Sequence, residues 1–181
     1  AFTSQYIRLL YPCILNYKNG ILITDIDMIP LNKNYFTKNI LEIEDNKFIY
    51  YRENAISAEY KQIAIMYNVA LSSTWQEIFQ IKSLEDIKER LKKINKGINY
   101  IDGHNLSGWC TDQEDLYKYI INWNNKNINF ICLKDDNTNF KRLDRHTFDI
   151  NNNKIREDIS NGLYTDYHCL RPMKEFDDIN N

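Results

Sequence analysis

The chain has 181 residues, 43% of them hydrophobic and 27% charged, with a formal net charge of −2, which suits one domain with a substantial core. Its 13 Tyr, 8 Phe and 3 Trp exclude an intrinsically disordered chain, and 5 Gly with 3 Pro exclude collagen-like or linker-like composition. Balanced charge leaves no electrostatic footprint for nucleic acid, and no apolar run approaches the roughly 20 residues that span a bilayer.

In chain order, Ser4 to Leu15 carries Tyr6, Leu9, Leu10, Cys13 and Ile14 near helical spacing, with Pro12 bending or ending the helix. Ile21 to Thr24 is a short β-branched run, of the kind buried on both faces of a mainly parallel sheet. It runs into Asp25-Ile26-Asp27-Met28-Ile29-Pro30, where Pro30 is expected to stop strand pairing. Further strands are predicted at Lys47 to Arg52, Gln62 to Tyr67 and Ile128 to Leu133. Ser73 or Thr74 is expected to cap a helix reaching Phe79, with Gln76 or Glu77 completing a capping box. Ser83 opens a second helix, with Leu84, Ile87, Leu91 and Ile94 as its apolar stripe and Gly97 as its stop. Asp112 is expected to cap a third helix running to Trp123, and a fourth spans Lys154 to Ser160. The clusters Asn122 to Asn129 and Asn151 to Asn153 read as polar loops. Strands alternating with helices predict a single α/β domain over residues 1–181.

Cys13, Cys110, Cys132 and Cys169 lie too far apart for a paired zinc motif or a dense disulfide framework, and no signal peptide opens the chain. The expectation is a protein with reduced thiols in the cytoplasm, without a membrane span.

The sharpest chemical feature is Asp25-x-Asp27. About one D-x-D is expected by chance in a chain with 15 Asp, so its value lies in its place after an apolar strand, where open α/β sheets bind ligands. A turn beginning between the two carboxylates lets both approach one hard cation, whereas on an extended segment they point to opposite faces. The plain alternative is a loop cap at Asp25 and a solvated Asp27. Gly108 to Gln113 sets Asp112 and Gln113 at a helix start beside Trp109. Tyr164 to Pro172 brings His168 and Arg171 together, with Lys174 close behind, and such cations suit a phosphate.

Taken in order, LLYPCIL, GILITDIDMIPLN, FIYYR, IMYNVA, GWCTDQEDLY, FKRLDR and YTDYHCLRP resemble the metal-dependent nucleotide-sugar glycosyltransferases with the GT-A fold, of the kind encoded by large DNA viruses. The resemblance runs from about Ile7 to Lys174 and implies a GT-A-like, Rossmann-like mixed sheet flanked by helices. It further implies that Asp25, Asp27 and His168 hold Mn²⁺ or Mg²⁺ against the donor diphosphate, with Arg171 and Lys174 near the pyrophosphate. Asp112 and Gln113 then position the donor sugar or activate the acceptor hydroxyl. The implied partners are a nucleotide-sugar donor, of UDP type, and a glycan or protein-glycan acceptor, in the host cytoplasm if the chain is viral. Only 24 residues precede Asp25, where this family places a nucleotide-binding half. The chain therefore reads as the C-terminal catalytic part of such an enzyme.

Two rival readings follow from the same residues. A haloacid-dehalogenase-like phosphotransferase would use Asp25 as nucleophile and Asp27 as acid/base, with Asp135-Asp136 at its metal. A non-catalytic carbohydrate-binding fragment would stack sugars on Trp75, Trp109 or Trp123.

Overall fold

The computed structural model describes residues 2–101, 103, 106–149 and 151–176, and the fold is α/β with mixed sheets flanked by helices. Helix α1 (Phe2–Leu10) passes at Pro12 into a 3₁₀ turn (Tyr11–Ile14), as the missing proline N–H requires. Strands β1 (Ile21–Ile23) and β2 (Met28–Pro30) enclose the acidic turn, followed by helix α2 (Lys33–Lys38). Strands β3 (Phe48–Tyr50), β4 (Ile56–Ser57), β5 (Gln62–Ile63) and β6 (Asn68–Ala70) lead to helices α3 (Ser72–Phe79), α4 (Leu84–Gly97) and α5 (Thr111–Asn122). The short helix α6 (Lys126–Asn129) precedes β7 (Phe130–Cys132) and helix α7 (Asp135–Thr138). Strand β8 (Arg142–Asp144), helix α8 (Asn153–Ser160) and strand β9 (Asp166–His168) complete the fold.

The chain divides into two compact units, the first formed by residues 1–23 and 44–133 and the second by residues 24–43 and 134–181. In the first, a four-stranded sheet has the order β1-β6-β3-β7, with β4 and β5 paired separately. Its first two pairings are antiparallel and only β3–β7 is parallel. This corrects the expectation of a mainly parallel sheet with β1 buried on both faces. Strand β1 is an edge, and Leu22 is 36% exposed. The core lies where Phe48 meets the Trp75 ring edge-on at 4.7 Å, backed by Phe79 and by Tyr6, Leu9 and Leu10 of α1. Each such large apolar side chain contributes about 1.5–3 kcal/mol by leaving water.

Four local expectations change. The run Gln62 to Tyr67 holds only the two-residue strand β5 and then a turn before β6, which the buried Asn68 side chain closes by donating to Ile65 O at 2.5 Å. No capping box forms on α3, because Gln76 donates instead to Cys13 O at 2.6 Å and Glu77 accepts from Trp123 Nε1 at 2.8 Å. Helix α5 starts one residue before Asp112, which is not its cap. The polar run before β7 is partly helical, as α6. By contrast, Ser83 and Asp86 form a complete capping box on α4, and Ile87 is buried while Leu84 stays 52% exposed.

The second unit holds a three-stranded sheet of order β2-β9-β8, antiparallel then parallel. As expected, strand pairing stops at Pro30. The proline ends edge strand β2 opposite Asp166, where a missing donor is tolerated. A small core of Leu143, Tyr167 and Cys169 is covered by Ile155 and Ile159 of α8. Asp166, fully buried on β9, is gripped by the Arg142 guanidinium of β8, whose Nε donates at 3.0 Å. Among the described residues, no helix is long and apolar enough to cross a membrane.

Candidate functional site

The turn leaving β1 is closed by Met28 N–H donating to Asp25 O at 3.1 Å, and it sends the chain straight into β2. Because Met28 stands opposite His168 in the β2–β9 register, the end of the turn and the end of β9 are neighbours. Cys169 N–H donates to Asp27 O at 2.9 Å and fixes that juxtaposition through the backbone.

Asp27 is 2% exposed, so the reading of a solvated Asp27 does not hold. Its Oδ2 lies 3.2 Å from His168 Nε2. Arg171 Nε donates to the same oxygen at 2.6 Å, and Arg145 Nη2 at 3.3 Å. That Arg145 nitrogen also contacts His168 Nε2. On the far side of the ring, His168 Nδ1 lies 3.1 Å from Asp144 Oδ2. Burial holds His168 below its ordinary value, and Arg145 and Arg142 push the same way against the Asp144 hydrogen bond and the Asp27 charge. A guanidinium nitrogen can only donate, so the Arg145 contact makes Nε2 an acceptor. The ring's Nδ1–H donates to Asp144, and the Nε2 lone pair accepts from Arg145. Burial alone would raise the Asp144 carboxyl, but the His146 backbone N–H and His168 outweigh it and hold the group low. A carboxylate oxygen and an imidazole lone pair thus converge on one cation, which here is a guanidinium nitrogen.

A carboxylate oxygen and a neutral imidazole nitrogen are two donor types that can contribute to a divalent-ion shell. The imidazole is neutral, its orientation is set by a carboxylate behind it, and the buried carboxylate beside it requires a positive partner. Asp25, half-buried two residues earlier, does not join Asp27 and His168 in a cluster, and no group of three metal-binding side chains forms among the described residues. Further coordination would fall to phosphate oxygens and water, as hard cations commonly arrange.

The other expected residues are placed differently. Arg171 joins the cluster with its side chain 49% exposed, while Lys174 is exposed on the 3₁₀ turn Met173–Phe176. Asp112 and Gln113 belong to the first unit. Asp112 is 2% exposed and ion-paired with Arg8 Nη2 at 2.6 Å, and its Oδ1 accepts from Gln113 N at 2.9 Å. Trp75 and Trp123 are buried, which removes them as sugar-stacking platforms, and Trp109 is half-buried.

Arg145 and Asp144 are functional candidates that no role was read for, although both lie in the segment FKRLDR. Their signal is positional. The parallel β8–β9 register pairs Asp144 with His168, which only the strand pairing reveals. No family model, curated protein or solved structure matches this chain.

Proposed function

We infer that the chain is a metal-dependent glycosyltransferase of GT-A type, moving a sugar from a nucleotide-diphosphate sugar, of UDP type, to an acceptor hydroxyl. The observation that carries this reading is the convergence of Asp27 and His168, from distant parts of the chain, on one cation-holding point backed by Asp144. It supports the expectation that the D-x-D turn and the C-terminal histidine share a metal.

In this reading Asp27 and His168 would hold Mn²⁺ or Mg²⁺. A mixed oxygen and imidazole shell favours Mn²⁺. When bound, the ion supplies Lewis-acid neutralisation of the charge that develops on the leaving diphosphate. Arg145 and Arg171 then turn from Asp27 to the phosphate oxygens, since a guanidinium forks onto phosphate as it does onto carboxylate. The half-exposed side chain of Arg171 suits that exchange. Asp144 keeps the proton on His168 Nδ1, leaving Nε2 free to ligate.

Thermal shift with Mn²⁺ and a panel of nucleotide sugars tests the reading. Stabilisation should require metal and nucleotide together, reaching about 2.7 kcal/mol at a hundredfold excess over Kd, and should vanish in Asp27→Asn. Stabilisation by fluoroberyllate with no nucleotide effect would instead identify a phosphotransferase and overturn the transferase reading.

A further inference from the structure

The second unit carries another concave feature, an open cleft of about 630 Å³ between α2, the turn after α7 and the loop joining α8 to β9. Its lining holds the side chains of Asn34, Asn139 and Asn161, all exposed, together with Lys38 and Lys141, and no carboxylate among the described residues. These three asparagine amides hydrogen-bond to no described residue.

The cleft walls are braced by a different pair of amides. Asn32 Nδ2 donates to Gly162 O at 2.7 Å while its Oδ1 accepts from Asn34 N at 2.9 Å, and Asn39 Nδ2 donates to Tyr35 O at 2.8 Å. The first of these bonds joins the start of α2 to the loop before β9, and the other two hold the ends of α2, so the rim amides project from a fixed frame. Phe140, half-buried with its ring 5.7 Å from that of Tyr35, and Leu163, 46% exposed, supply apolar surface beside them.

A primary amide presents a donor and an acceptor on adjacent atoms, which matches the paired donor and acceptor character of neighbouring hydroxyl groups. Apolar surface beside such amides suits the C–H face of a sugar ring. Two lysines without a carboxylate make the cleft a positive spot on a chain of net charge −2. Lys141 is steered by the Tyr164 ring, 4.8 Å from its Nζ.

We propose that this cleft is a saccharide-binding site that prefers sugars bearing an anionic substituent, a carboxylate or a phosphate. It is separate from the Asp27 cluster. Thr165, at the cleft, immediately precedes β9, whose last residue, His168, is three residues further on, about 10 Å at strand rise. Saccharide binding at the cleft does not depend on the transferase reading.

The test uses the full chain without metal or nucleotide, titrated with trigalacturonate and with neutral maltotriose and followed by ¹⁵N chemical shifts. Trigalacturonate should bind more tightly than maltotriose and shift the amides of Asn34, Asn139 and Asn161. Asn161→Ala and Asn139→Gly, the latter chosen because Asn139 has φ +55°, should each weaken binding about 3- to 10-fold with melting temperature unchanged. Lys141→Gln should erase the preference for the acidic sugar. Phosphorylated maltotriose, run as a third arm, should match trigalacturonate if charge alone is read, and a lower affinity assigns the preference to carboxylates. Absence of binding by all three sugars, shifts mapping elsewhere, equal affinity for acidic and neutral sugars, or parental binding by the variants would overturn the proposal. None of these outcomes touches the metal-and-nucleotide stabilisation, so failure of one reading is distinguishable from failure of the other.

Discussion

Asp27 shows how much one side chain depends on partners far away in sequence. Its carboxylate is buried, and the guanidinium groups of Arg145 and Arg171 beside it make that tolerable. Because Asp144 orients that ring without facing the cation, Asp144→Asn should weaken Mn²⁺ binding by about 10- to 100-fold while leaving the fold intact, as titration followed by electron paramagnetic resonance would show. Unchanged affinity would remove Asp144 from the site. A pH prediction concerns other residues. Burial pushes the Cys13 and Cys132 thiols up to about 12, and burial with the Asp115 hydrogen bond raises the Tyr6 phenol. Below the ordinary thiol value of 9.0 both folded and unfolded chains keep these protons. Above it only the unfolded chain releases them, so stability falls as pH rises from there, and urea midpoints measured between pH 8 and 10.5 should decline. In the same window iodoacetamide should label Cys13 and Cys132 only after denaturation. The D-x-D motif was visible in the sequence because a motif needs only its own neighbours, but its spacing did not separate Asp27, which meets His168, from Asp25, which does not. Arg145 was not legible, since its partners are joined to it by strand register rather than by spacing.

Among the elements, α4 was the most legible, and the reason is local. Ser83 and Asp86 satisfy one another's backbone N–H groups within a single turn, so no distant residue is needed to start the helix. Ser83→Ala should cost about 1 kcal/mol in chemical denaturation. Ile87→Ala should cost about 2–5 kcal/mol, whereas the exposed Leu84 tolerates the same change with less than about 0.5 kcal/mol lost. Equal losses at the two positions would contradict the burial pattern. Helix α3 went the other way. Its expected box partners Gln76 and Glu77 are drawn off by Cys13 and by Trp123, contacts of long sequence separation that a local pattern cannot contain. Strand length failed similarly at Gln62 to Tyr67. An apolar run fixes that a segment is buried, but the turn within it depends on Asn68 finding the Ile65 carbonyl.

For the whole molecule, the α/β class followed from alternation of strands and helices, which composition and periodicity express directly. Sheet direction did not. A short apolar strand such as β1 reads alike in parallel and antiparallel company, and its place at the edge is decided by β6, far along the chain. The same long-range pairing of β2, β8 and β9 assembles Asp27, Asp144 and His168, and the proposed metal site stands on that small sheet. The site's most direct test is anomalous diffraction from crystals soaked with Mn²⁺ and UDP. The account predicts one manganese peak within bonding distance of Asp27 and His168, with Arg171 moved from Asp27 to the diphosphate. A peak elsewhere, or Asp27 still clasped by both arginines beside bound UDP, would contradict it.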